Sequence, residues 1–311
     1  MDAVDVKINP SPKPKKETIV PINRRTLRQK IRSYTKSPLS LILFILVCLA
    51  ALITACTLLF LIIYILVKGI PNLSLDLFAW EYTSDNVSLM PALINTILMT
   101  VLSLLIAAPL GIFAAIYLVE YAKRGNKIVG IVRTTAETLS GIPSIVYGLF
   151  GMLFFVTAMG WGLSLISGAF TLSIMILPLI MRTTEEALKA VPDSYREGSF
   201  GLGAGRLRTV FRIVLPSAVP GILAGIILAI GRIVGESAAL IYSAGTIAKV
   251  PELQHFFTSS TRTLSVHMYV LSNEGLHTNQ AYATAVVLLV LVIGINALSA
   301  FVAKKVTKGQ K

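Results

Sequence analysis

Two ionisable residues, Arg232 and Glu236, stand four positions apart in a long apolar stretch of the sequence. A spacing of four places both side chains on one face of an α-helix. If that helix crosses a bilayer, a charge near its centre costs at least about 2.5–3.5 kcal/mol, so both residues should face a protein interior or a water-filled cavity. The planar guanidinium of Arg232 suits a passing oxyanion, with Glu236 holding the arginine in place. The alternative is a self-neutralising pair that only stabilises helix packing.

A glycine-rich stretch, GLGAG at 201–205, could be mistaken for a nucleotide cradle. A P-loop requires G-x-x-x-x-G-K-[ST], whose lysine and hydroxyl serve the phosphates and magnesium. Neither Gly-Lys-Ser nor Gly-Lys-Thr occurs in the chain. A dinucleotide site would need a buried strand immediately before the glycines, and none is predicted there. Both kinds of nucleotide site are therefore excluded.

The histidines and cysteines also lack the spacing of a metal site. The three histidines stand twelve and ten positions apart, and both cysteines lie in the first apolar stretch without a C-x-x-C pairing: His255, His267, His277, Cys48 and Cys56. These spacings match no common zinc motif. We therefore predict neither a metal site nor a catalytic centre in this chain.

Composition places the chain in a membrane. Of its 311 residues 55% are hydrophobic and only 14% are charged, and the mean hydropathy is +0.77. Soluble domains carry nearer a quarter of charged residues. Apolar stretches long enough to cross a bilayer of about 30 Å occur six times. They run over 39–67, 91–119, 128–157, 163–181, 217–244 and 281–303.

The net charge of +13 is unevenly distributed between the connections. Of the 28 Lys and Arg residues, ten precede Pro38, four lie in 120–133, six in 182–212 and four in the C-terminal tail. These 24 fall on one side of the six-span topology, which predicts cytoplasmic N- and C-termini by the positive-inside rule. The excess of Lys and Arg is thus explained by the membrane topology, and we expect no nucleic-acid partner. We expect residues 1–38 to be a disordered basic tail, either a solvated topology signal or a segment attracted to membrane lipid.

The connection between the fourth and fifth spans is about 35 residues long, far above the usual 2–8 for helix connections in bundles. It carries a spaced set of residues: a Glu-Gly-Ser triplet, Gly three residues later, and Ile-x-Leu-Pro after nine more. These are Glu197, Gly198, Ser199, Gly203, Ile213, Leu215 and Pro216. We expect a short amphipathic helix that can lie in a groove of a partner. Gly203 would end it in a turn with positive φ, and Pro216 would begin the fifth span.

This spacing resembles the cytoplasmic signature of bacterial ABC importer permeases, Glu-Ala-Ala, three residues, Gly, nine residues, Ile-x-Leu-Pro. The chain departs from it in having Gly-Ser for Ala-Ala. The segments SGIPSIVYGLFG (140–151) and GRIVGESAAL (231–240) are similar to permeases of the phosphate importer, and the C-terminal part is similar to the PstA type. A plain linker is the alternative interpretation of the connection.

The resemblance implies an all-α integral membrane protein with six transmembrane helices and the type-1 ABC importer permease fold. In it residues 195–216 couple the chain to an ATPase. The implied domains are the tail 1–38, a first helix and extracytoplasmic loop over 39–88, a permease domain over 89–303 and a tail over 304–311. The implied location is the bacterial inner membrane.

The implied partners are a PstC-type permease subunit, two ATPase subunits and an extracytoplasmic phosphate-binding protein. ATP and magnesium would sit on the ATPase, and this chain would bind no cofactor. The alternatives are a PstC-type subunit, a permease for molybdate or sulfate and, from another class, a membrane enzyme or sensor.

Overall fold

The computed structural model describes residues 38–123 and 125–308, so most of the predicted basic tail lies outside the described residues. Every regular element in these two ranges is helical. The α-helices are α1 (Pro38–Gly69), α2 (Met90–Ile116), α3 (Lys127–Ser140), α4 (Ser144–Gly151), α5 (Leu165–Lys189), α6 (Asp193–Gly201), α7 (Arg206–Thr209), α8 (Leu215–Gly235), α9 (Ala238–Ser243), α10 (Leu264–Glu274) and α11 (Thr278–Lys308). Three π-turns extend them: Tyr117–Tyr121, Met152–Ala158 and Val210–Val214.

Helices long and apolar enough to cross a membrane account for most of the described chain. Five single helices qualify, and a bent pair makes a sixth if it is one span: Pro38–Asn72, Met90–Tyr121, Leu165–Lys189, Arg206–Gly235 and Thr278–Lys305, with Lys127–Ser140 plus Ser144–Ala158. The described residues divide into two compact units, with the boundary between Ile62 and Ile63. The first unit is the greater part of α1, and the second holds every other helix.

Helix α5 forms the core of the second unit. Two-thirds of its most apolar 18-residue stretch is buried, against α2, α4, α8 and α9. Its inner face presents Leu172, Met175 and Ile176, all essentially inaccessible to solvent. The predicted fourth span ended at residue 181, which is too early, because the helix runs on to Lys189.

The third predicted span, 128–157, is wrong as a single straight helix. It is broken into α3 and α4, whose axes meet at 101°. The break falls at Gly141–Pro143, where Pro143 has no N–H to donate to the preceding turn and precedes the first residue of α4. Helix α3 therefore lies at a steep angle to α4, and its first turn begins beside the end of α2.

The fifth predicted span, 217–244, is wrong at both ends. The helix begins at Arg206, and the π-turn Val210–Val214 leads directly into α8. Pro216 therefore lies inside a continuous helix and does not begin it. The proline offers no N–H, and the π-turn just before it re-routes the backbone bonds. The helix ends at Gly235, since Glu236 is extended (φ −77°, ψ 128°) and a separate short helix, α9, follows.

A buried polar cluster ties the connection before α2 to the connection between α9 and α10. The Arg262 guanidinium lies 5.4 Å from the centre of the Tyr82 ring, donates to the carbonyl of Thr246 and lies 3.3 Å from Nδ1 of His267. His267 has no exposed surface. Burial, with Arg262 beside it, lowers the pKa of His267 to about 4. The imidazole is therefore neutral near pH 7.

Candidate functional site

The short helix expected in the long connection is present as α6. Pro192 precedes it in an extended conformation, and Asp193 occupies its first turn, where a negative charge favours the helix dipole. Gly203 ends it with φ +80°, and its N–H donates to the carbonyl of Phe200 at 2.9 Å. The predicted glycine turn is confirmed. Because a side chain at Gly203 would be strained by this φ, the residue type fixes where the connection reverses.

The outer surface of this connection carries apolar side chains. Exposed fractions are 53% for Tyr195, 46% for Phe200 and 91% for Leu202. Glu197 is exposed, and Gly198 faces open space, since a Cβ there would meet nothing within 4 Å. An exposed apolar patch beside an open backbone is typical of a surface that receives another protein.

Ser199, which belongs to the connection expected to couple the chain to an ATPase, does not join that surface. It is 4% exposed, and its hydroxyl lies 2.8 Å from Oγ1 of Thr209. Ser199 thus joins α6 to α7. Ser199 stands three positions after the largely buried Arg196, and this spacing places both side chains on the inward face of α6.

An ion pair holds α6 against the end of the second span. Arg196 Nη2 lies 2.7 Å from Oε1 of Glu120, and Arg196 Nε lies 3.2 Å from the same oxygen. The guanidinium also donates to the carbonyls of Val191 and Leu188 and to Asp193. The side chains of Arg196 and Glu120 are only 14% and 8% exposed. The hydrogen bonds that Arg196 donates to Glu120 raise the pKa of Arg196, so the guanidinium stays charged.

A second carboxylate joins the end of α5 to α3. One oxygen of Glu185 lies 2.7 Å from Nε of Arg133 and 2.6 Å from Nζ of Lys189. The Glu185 side chain is 8% exposed. The two ion pairs thus link α6, α5, α3 and the end of the second span at one end of the bundle.

Glu120 and Arg196 do not stand out in the sequence. Arg196 stands next to Glu197 in the motif, but as one of six basic residues in 182–212 it indicates only the membrane topology. Glu120 ends an apolar stretch, where an isolated carboxylate is costly unless a cation pairs with it. That cost was the available signal, although nothing in the sequence names a partner 76 positions away.

The remaining motif residues lie on the other flank of α6. Ile213 and Pro216 line a cavity of about 650 Å³ together with Tyr195 and Arg212. Leu215 is half-buried and is the first residue of α8. The structure thus brings Ile213 and Pro216 to α6, while Glu197 and Gly198 lie on its exposed surface.

Arg232 and Glu236 do not share a helical face, because the helix ends between them at Gly235. Glu236 Oε1 accepts a hydrogen bond from the N–H of Ala239 at 3.1 Å, so this carboxylate caps α9. No ion pair joins Arg232 to Glu236 in the described ranges. The self-neutralising pair considered from the sequence is therefore not formed.

Arg232 lines a cavity of about 470 Å³. The ionisable residues that share this cavity are Arg133, Glu137, Arg182, Glu185, Glu186 and Lys189. Arg182 is paired with Glu186, and Glu185 is paired with Arg133 and Lys189. Arg232 has no carboxylate within ion-pair distance in the described part of the chain, so its charge is available to an anion that enters the cavity.

Residues 107–308 match the family described as binding-protein-dependent transport system inner membrane component. The chain belongs to this family. The permease is 36% identical over 240 residues to the probable ABC transporter permease protein YqgI of Bacillus subtilis, covering 73% of this chain and 81% of the relative. It is 36% identical over 242 residues to the phosphate transport system permease protein PstA of Pasteurella multocida, covering 72% and 83%.

A solved bacterial alginate ABC transporter, in complex with its alginate-bound periplasmic protein, contains a chain of the same fold. Its TM-score to the permease is 0.63 at 18% identity, covering 89% of this chain and 99% of that one. This likeness confirms the type-1 ABC importer permease fold expected from the sequence. Membership in the family confirms the expected multi-pass, inner-membrane location. The family is a transporter component and not an enzyme.

Proposed function

We propose that this permease forms half of the translocation pathway of an ATP-driven importer of inorganic phosphate. The observation that carries the proposal is the 36% identity to a PstA protein over 72% of the chain. The spaced motif of the connection supports the same conclusion. Glu197, Gly198 and Ser199 belong to α6, and Ile213 and Pro216 line the cavity beside it.

The proposed assembly pairs this chain with a PstC-type permease subunit, two ATPase subunits and an extracytoplasmic phosphate-binding protein. ATP and magnesium are bound by the ATPase. The basic ends of the spans and both termini face the cytoplasm, which is supported by the distribution of Lys and Arg along the sequence.

In this assembly α6 is the handle through which the ATPase acts on the membrane helices. Its exposed apolar side chains Tyr195, Phe200 and Leu202 meet the ATPase, and Gly198 allows close backbone approach. The Glu120–Arg196 pair then transmits the displacement of α6 to the second span.

The proposed role of Arg232 is to attract the phosphate oxyanion within the cavity that it lines. Glu236 does not hold Arg232 in place, as its spacing in the sequence suggests. Its carboxylate caps α9, and its carbonyl accepts a hydrogen bond from the Ser265 hydroxyl at 2.5 Å. Glu236 thereby fixes the break between α8 and α9 that follows Arg232. An oxyanion in this cavity therefore meets the free guanidinium of Arg232, whereas Glu236 is not among the lining residues.

The test is ATP-dependent uptake of phosphate by vesicles containing the reconstituted complex, with sulfate and molybdate as competitors. Phosphate uptake should require ATP and resist both competitors. Preferred uptake of sulfate or molybdate would overturn the substrate and favour the alternative oxyanion permease.

The matched variants are Arg232→Gln and Lys304→Gln, each of which removes one positive charge. Lys304 is exposed, near the end of α11, and lines neither cavity described above. We expect Arg232→Gln to reduce uptake at least about tenfold, as expected for loss of a charge-assisted hydrogen bond, and Lys304→Gln to leave it unchanged. Normal uptake by a correctly assembled Arg232→Gln complex would contradict the role of Arg232.

A further inference from the structure

A third cavity, of about 890 Å³, lies beside the Glu120–Arg196 pair. The end of the second span, the start of α3 and one side of α6 surround it. The charged residues in its lining are Lys123, Arg133, Lys189, Arg196 and Arg206, with Glu120 and Asp193. None of the transport roles proposed above involves this cavity as a binding site.

The cavity has an excess of positive charge. Its lining provides five cations and two carboxylates. Glu185 adds a third carboxylate, which Arg133 and Lys189 share through one oxygen. Five positive and three negative charges leave a balance of two positive charges. A phosphoryl group carries between one and two negative charges near pH 7 and offers several strong acceptor oxygens.

Two of these cations have no carboxylate partner in the described ranges, namely Lys123 and Arg206. The Arg206 guanidinium lies 5.5 Å from the centre of the Tyr121 ring. Stacking on an aromatic face holds a guanidinium in place while its N–H donors remain available. Arg206 is therefore positioned without being neutralised.

The space beside these cations is open. Gly125 and Gly130 belong to the lining, and a Cβ at either would meet nothing within 4 Å. On the neighbouring face of α3, Ile128 and Ile131 are each 65% exposed. A basic cavity next to exposed apolar side chains suits a group whose charged head and apolar tail bind side by side.

We infer that this cavity binds a phosphoryl group on Lys123 and Arg206, either the headgroup of an acidic phospholipid or free inorganic phosphate. The inference goes beyond the proposed function, because binding here does not depend on which solute the permease imports. A ligand in this place would contact the wall that holds α6, so its occupancy would change the attachment of α6 to the second span.

The test uses the assembled transporter in nanodiscs of two compositions, phosphatidylcholine alone and phosphatidylcholine with phosphatidylglycerol. Native mass spectrometry counts the phosphatidylglycerol that stays bound. Equilibrium binding of radiolabelled inorganic phosphate, measured in phosphatidylcholine nanodiscs, examines the other source. Each measurement compares Lys123→Gln and Arg206→Gln with the control Arg208→Gln, an exposed cation two residues from Arg206 and outside the cavity lining.

We expect retention of phosphatidylglycerol, with affinity at least about tenfold weaker in Lys123→Gln and Arg206→Gln and unchanged in Arg208→Gln. The same pattern for radiolabelled phosphate would identify free phosphate as the ligand. If neither probe distinguishes the two cavity variants from Arg208→Gln, the inference is wrong. Because both readouts measure binding, they can succeed even where phosphate uptake fails, and the reverse is also true.

Discussion

The attachment of α6 can be weakened at one residue, Glu120, by substitution with alanine. Arg196 makes six hydrogen bonds, three of them to the two carboxylate oxygens of Glu120. Glu120→Ala removes these three and leaves two carbonyls and Asp193. The arginine then remains buried without its principal counter-charge.

Removing one partner of a buried ion pair generally costs about 3–5 kcal/mol. The bonds to Val191, Leu188 and Asp193 persist, so we expect a cost at or just below the lower end, about 2–3 kcal/mol. A difference of 2 kcal/mol lowers the ratio of attached to detached α6 about thirtyfold. Glu120→Gln keeps one acceptor oxygen in the same place and should cost about half as much.

The assay measures phosphate uptake and ATP hydrolysis by the same reconstituted complex. If α6 transmits the ATPase movement, Glu120→Ala should lower the phosphate imported per ATP while ATP hydrolysis continues. The control is Glu252→Ala, which removes a carboxylate from the exposed ion pair with Lys249. Exposed pairs contribute about 0–1 kcal/mol, so this control should behave as wild type. An unchanged ratio of uptake to hydrolysis in Glu120→Ala would refute the reasoning.

Three further predictions concern other parts of the fold. The pKa of His267 is lowered to about 4 from an ordinary value of 6.5, so the unfolded state binds the proton first. Stability of the wild type should therefore decrease as the pH falls from about 6.5 to about 4, by up to about 3 kcal/mol. Thermal unfolding should show a smaller decrease in His267→Gln, and equal pH profiles would contradict this. A Cβ at Gly203 would meet no neighbour, but the φ of +80° strains any other L residue. Gly203→Ala should therefore destabilise the turn by about 1 kcal/mol and increase proteolysis within 202–205. At Gly148 a Cβ would lie 2.8 Å from the Ala239 backbone, so Gly148→Ala should separate α4 from α9 and lower the melting temperature clearly more than Gly231→Ala, where nothing lies within 4 Å.

Sequence patterns predicted the local features of the fold and the connection well. Long apolar stretches identify helices that cross a bilayer because an α-helix satisfies every backbone polar group within its own segment. The turn at Gly203 was predictable, since it depends only on neighbouring residues. The break after Gly235 was not, because the apolar stretch resumes directly after it, from Ala238 to Tyr242.

Contacts between distant segments could not be predicted from one sequence. Arg196 and Glu120 are 76 positions apart, and each is unremarkable in its own segment. The pairing of Arg232 with Glu236 was inferred from spacing alone, and spacing describes contacts only while the helix continues. Here the extended backbone of Glu236 directs its carboxylate to the start of α9.

The burial of α5 has a consequence for how the chain enters the bilayer. Its mean hydropathy of 1.8 is the lowest among the five single spans, whereas α1 reaches 2.9. A helix with little apolar surplus partitions weakly into lipid and requires neighbouring helices to cover its polar side chains. Helix α1 is apolar enough to integrate without help. We therefore expect α5 to enter the bilayer only with assistance and to become stable once α2 and α8 enclose it.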